Sequence, residues 1–145
     1  MKNFLFLVLV LFTFSLNAQV KHTANINKYG VALDGNDPTS YFHSKPVKGK
    51  NEFKSTYNGT SYLFESKENK AQFDKSPQNF EPQYGGWCAY AVGKTDENVE
   101  VNPQTYKVLN GKLYLFYNKF FTNTLELWNK DEADLLKNAN KNWSK

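Results

Sequence analysis

The chain has 145 residues, 17% of them aromatic, with 18 basic residues against 14 acidic ones and a net charge of +4. Apart from two histidines every basic side chain is lysine, scattered among Asn and Glu; arginine's planar fork is the usual reader of phosphates and base edges, so its absence argues against a nucleic-acid partner. A single cysteine, Cys88, excludes an internal disulfide and leaves stability to the core.

Residues 1–18 read as an export signal: Lys2, an apolar run over 4–14 too short to span a bilayer, and the small residue Ala18 at the cut. The mature chain is expected to be one domain over 19–145, periplasmic or secreted, without stable membrane insertion. Residues 19–28 are polar and predict a loose lead-in. Asp37 predicts an N-cap, with Pro38 opening a short helix over 38–42; His43 follows in a loop. Runs at 53–57 and 61–64 flank Asn58-Gly59 and predict a hairpin. Ser66 predicts the cap of a helix over 67–75, anchored by Phe73 and stopped before Pro77.

Residues 79–92 show no period and predict a packed irregular segment, and 93–103 a polar surface loop. Runs at 106–109 and 112–116 around Asn110-Gly111 predict a second hairpin. Phe120, Phe121, Leu125 and Trp128 fall near helical spacing. Asn129 with Glu132 predicts a capping box, and Leu135, Leu136, Ala139 and Trp143 form an apolar stripe. The fold class is therefore α+β: a small antiparallel sheet built from the two hairpins, one face covered by short helices and a C-terminal helical segment. Outside their turns the hairpins look unrelated, so no duplication is expected.

The candidate site centres on Cys88, in the run Tyr84-Gly85-Gly86-Trp87-Cys88-Ala89-Tyr90. Its thiol reads either as a small buried side chain or as a ligand. A metal site at Cys88 needs helpers, and His43 and Asp37 are the best placed, with His22, Asp34 and Glu65 behind them. An exported thiol with histidine suits copper or another transition metal. Tyr84, Trp87, Tyr90 and Tyr41 read either as core or as the walls of a small-ligand pocket. No phosphate loop and no nucleophile with an oriented base is marked, so an enzyme is not expected.

The run from Tyr57 to Phe64, followed by Ser66, Phe73, Ser76-Pro77 and Phe80, resembles the YHS domain. More closely, Gly35-Asn36-Asp37-Pro38-Thr39-Ser40-Tyr41-Phe42, the run from Pro82 to Ala91, the Gly111 to Leu115 hairpin and Asn142-Trp143 resemble secreted bacterial YHS-domain proteins. The resemblance implies a metal-handling role, which other members perform with a cysteine after the Phe and a second one four residues on. Here those positions hold Glu65 and Asn69. The expected function is that of an exported module binding a metal ion or a small ligand without catalysis. The alternative is a small-molecule-binding accessory protein or a protein-interaction module, with Cys88 purely structural.

Overall fold

The computed structural model describes residues 22–145, so the expected export signal lies outside the described part. Two hairpins dominate the strands: β1 (Lys50–Tyr57) with β2 (Thr60–Phe64), and β3 (Asn102–Leu109) with β4 (Lys112–Phe116). Their tips, Asn58-Gly59 and Asn110-Gly111, are left-handed at both residues, as a two-residue turn matched to strand twist requires. A third pair, β5 (Asn118–Lys119) with β6 (Thr122–Asn123), is minimal. The helices are α1 (Lys67–Lys75), α2 (Ala89–Thr95), α3 (Thr124–Lys130) and α4 (Glu132–Trp143). The fold is α+β.

The two hairpins do not join into one sheet; each stays a separate antiparallel pair. The physical reason is that irregular segments claim backbone groups a joined sheet would need. Val31 bridges Ser61 of β2, while Pro82 and Cys88 bridge Leu113 and Leu115 of β4, all in parallel.

The same construction occurs twice. In the first hairpin Lys50 pairs with Phe64, the register shifts, and Lys54 to Tyr57 then pair with Leu63 to Thr60. In the second, Asn102 pairs with Phe116, the register shifts, and Tyr106 to Leu109 pair with Leu115 to Lys112, every partner 52 positions later. Ahead of each hairpin stands a left-handed triplet, Leu33-Asp34-Gly35 and Tyr84-Gly85-Gly86. After each triplet a backbone N–H reaches forward: Asp37 to Val47 O at 2.8 Å, Cys88 to Val99 O at 2.9 Å. The two hairpins, unlike in sequence outside their turns, thus share one backbone construction. The shared letters, Asn-Gly and Tyr-Leu-Phe at 62–64 and 114–116, are few because backbone geometry rather than side-chain identity is repeated.

Two cores result. Tyr62 and Phe64 of β2 point at Phe73 of α1, with ring centroids 4.9 and 5.0 Å apart. β4 alternates: Leu113 and Leu115 enter this first core, while Tyr114 and Phe116 enter a second one with Tyr84, Trp128, Leu135 and Ala139. The helices are therefore divided, α1 on the first core and residues of α2, α3 and α4 on the second, rather than lying on one sheet face.

Ser66 caps α1 as predicted, its Oγ accepting from Asn69 N. Around Asp37 the helix shrinks to a single 3-10 turn, Ser40–Phe42. α2 was not legible because it is one short helix with Ala89, Ala91, Val92 and Gly93 all buried, which erases the period. Phe120 and Phe121 are not helical: they form the exposed tip between β5 and β6, both with positive φ. The Asn129–Glu132 capping box does not form. Asn123 caps α3 instead, and the Glu132 carboxylate accepts from Trp128 Nε1 at 2.8 Å and pairs with Lys107. No helix among the described residues is long and apolar enough to cross a membrane.

Candidate functional site

Cys88 is fully buried. Its Sγ accepts from Tyr117 N at 3.4 Å and lies 3.3 Å from Thr124 Oγ1. The Thr124 hydroxyl already donates to Tyr117 O at 2.9 Å, so the thiol is the donor in the contact with Thr124. A closed ring of three polar groups thereby uses both capacities of the sulfur. This ring ties the segment before α2 to the start of α3.

Asp37 is equally buried and occupies the corresponding place in the first repeat. Its Oδ1 accepts from Thr39 N and Thr39 Oγ1, both at 2.8 Å. Its Oδ2 accepts from Glu65 N at 2.9 Å and Asn69 Nδ2 at 2.7 Å. Four donors saturate the carboxylate, and the residues at the two positions of the resemblance's cysteine pair, Glu65 and Asn69, close on Asp37 instead of a metal. His43 is exposed, with Nε2 3.5 Å from Gln72 Oε1. The three expected metal ligands thus face different partners. No group of three His, Cys, Asp or Glu side chains placed to hold a metal ion occurs among the described residues. The donor set does not fit copper, whose soft coordination needs more than a buried, hydrogen-bonded thiol.

The four expected wall residues are also separated. Tyr41 is buried in the first core, its OH donating to Pro103 O at 2.9 Å and its ring edge-on to Tyr106. Tyr90 packs half-buried on the second core. Trp87 donates Nε1 to Thr23 O at 2.7 Å. With Asn25 N bonded to Gly85 O at 2.8 Å, that contact stitches residues 22–25 onto the body, where sequence predicted a loose lead-in.

Tyr84 does border a hollow. An open cleft of about 680 Å³ lies between the first hairpin tip (Tyr57, Asn58, Tyr62), the segment Glu81 to Gly85, the lead-in at His22 and the end of α4 at Trp143. Gly85 makes this packing possible: a Cβ there would sit 3.2 Å from the Trp143 ring, at φ +60. Trp143 stacks on His22 with centroids 4.0 Å apart, and Tyr84 donates to Asn140 Oδ1 at 2.9 Å. His22 Nε2 is buried with no hydrogen-bond partner among the described residues. Sequence reasoning missed Glu81, and took His22 only as a metal helper and Trp143 only as part of an apolar stripe, because only the chain's return over itself brings the three together.

Glu81 is half-buried, and burial holds its carboxyl above the ordinary glutamate range. A carboxyl raised in the folded state favours folding most when protonated, and that contribution is lost as pH climbs through the folded value. Glu81→Gln is therefore expected to raise the thermal midpoint near pH 7 and to bring no gain below about pH 4. Melting curves of both proteins at the two pH values check this; an equal gain at both would assign the effect to something other than ionisation.

Comparison with curated proteins and with solved structures returns no match. Residues 39–84 match the family model of the YHS domain. That stretch runs from the turn after Asp37 through the first hairpin and α1 to the left-handed triplet that opens the second repeat. The YHS-domain match is thus confined to residues 39–84, and the second hairpin with α2, α3 and α4 lies beyond it.

Proposed function

We propose that the protein is an exported YHS-domain module that binds a small organic ligand in the cleft between the first hairpin tip and α4, without catalysis. The observation that carries this reading is the cleft itself: aromatic side chains from separate elements, with His22 Nε2 buried and unpartnered and Glu81 half-buried without a side-chain hydrogen bond among the described residues. A mostly apolar concavity with a few convergent polar groups is the usual form of a small-ligand site. Export rests on Lys2, the apolar run and Ala18. An organic ligand is favoured over a metal ion because Asp37 and Cys88 have their polar capacity filled.

Amide spectra of isotope-labelled protein titrated with indole and phenol test the reading. Shifts are expected at Gly59, Gln83, Gly85 and Ser144. Fragments that shift only residues away from these positions would contradict it.

A further inference from the structure

We infer that the cleft selects an organic ammonium ion, with Glu81 as its counter-charge and the aromatic walls as its cation–π surface. The inference rests on the cleft being the ligand site. It starts from charge placement. Every lysine among the described residues stands away from the cleft lining. Among the described residues Glu81 is the only acidic one lining the cleft.

The other carboxylates at comparable depth are compensated. Asp37 accepts four hydrogen bonds, and Glu132 has Lys107 and Trp128. Glu81 forms no ion pair and no side-chain hydrogen bond among the described residues. A half-buried carboxyl left without a partner costs stability in the free protein. A bound cation supplies what is missing.

The walls suit that cation. Of the aromatic side chains bordering the hollow, Tyr62 and Tyr84 are buried while Tyr57 and Trp143 are half-buried and open toward it, and aromatic rings attract ammonium groups, indole most strongly. Glu81 and Tyr62 line the same cleft, and after burial, the larger cause, the Glu81 charge pushes the Tyr62 phenol further upward. An anionic ligand would meet Glu81 with no lysine among the described lining residues to offset it, so the cleft discriminates by charge as well as by shape.

The test uses three probes of matched shape and different charge, benzylamine, benzyl alcohol and benzoate, titrated into the labelled protein and into Glu81→Gln. Benzylamine is expected to bind the wild type at least about tenfold more tightly than benzyl alcohol, with benzoate weakest. Glu81→Gln is expected to erase that difference, so that benzylamine and benzyl alcohol bind the variant alike. This variant relieves an uncompensated carboxyl, so loss of fold does not confuse the result. Equal binding of benzylamine and benzyl alcohol to the wild type would overturn the ammonium assignment and leave the cleft as a ligand site. If no probe of any charge moves the cleft amides, the cleft reading falls too.

Discussion

Replacing Asp37 by alanine is expected to cost about 3–5 kcal/mol of folding free energy, because several buried donors lose their acceptor together. The substitution strands four donors at once: Thr39 N–H, the Thr39 hydroxyl, Glu65 N–H and the Asn69 amide. All converge on a residue with no solvent exposure, so water cannot replace the lost acceptor. The network spans the turn before the first hairpin, the end of β2 and the first turn of α1, and its loss loosens three elements together. Asp37→Asn keeps the volume but offers one acceptor oxygen where two served, and is expected to fall between wild type and alanine. Urea denaturation of the three proteins measures the series. A domain of this size has only about 5–15 kcal/mol to lose, so Asp37→Ala sits near the edge of folding. An alanine variant as stable as wild type would mean that the carboxylate is not the clamp described.

Gly93→Ala is expected to destabilise by about 1–3 kcal/mol, against the direction that helix propensity predicts. Gly93 lies inside α2, where alanine is ordinarily worth about 1 kcal/mol more than glycine. Here α2 packs so closely on α4 that an added Cβ would stand 2.6 Å from Leu135 O and 3.4 Å from the Ala139 Cβ. The nearest atom is backbone and cannot swing aside, so the helices must part. Overpacking outweighs propensity because the contact is well inside any distance that real Cβ atoms occupy. α4 also carries Trp143 to the cleft, so the variant is expected to weaken ligand binding along with stability. Denaturation midpoints check the sign. A more stable Gly93→Ala would show that the two helices are not in this close contact.

Local signals in the sequence were sound where one segment decides its own structure. Asn-Gly fixed both hairpin tips, and Ser66 with the Pro77 stop fixed α1. They failed where long-range packing decides. Phe120 and Phe121 sit at helical spacing from Leu125 and Trp128, but Asn123 caps the helix after them and leaves both rings in solvent. The lead-in at 22–25 has no apolar pattern, yet it is held by backbone and indole hydrogen bonds that no composition reveals.

The site divides in the same way. Cys88 stood out as solitary between glycines and aromatics, but the glycines seat Trp143 and the N-terminal lead-in rather than a ligand at the sulfur. The repeat clarifies this. Cys88 in the second half occupies the station of Asp37 in the first, and each accepts a backbone N–H from the residue after its Tyr-Leu-Phe strand, Tyr117 and Glu65. Both are fasteners of the same joint, one made with a carboxylate and one with a thiol. Glu81 is distinguished only by what surrounds it in space, and no local pattern marks it.

Cys88 is thus placed as a fastener of the fold, away from the cleft proposed to take a ligand. The most direct measurement is the rate at which a small aromatic disulfide reagent modifies Cys88 in the folded protein and in strong denaturant. A buried fastener predicts no modification on the native timescale, with reaction only through unfolding and a rate suppressed by the folding equilibrium. Prompt modification of the native protein would place the sulfur at an accessible surface and contradict the assignment.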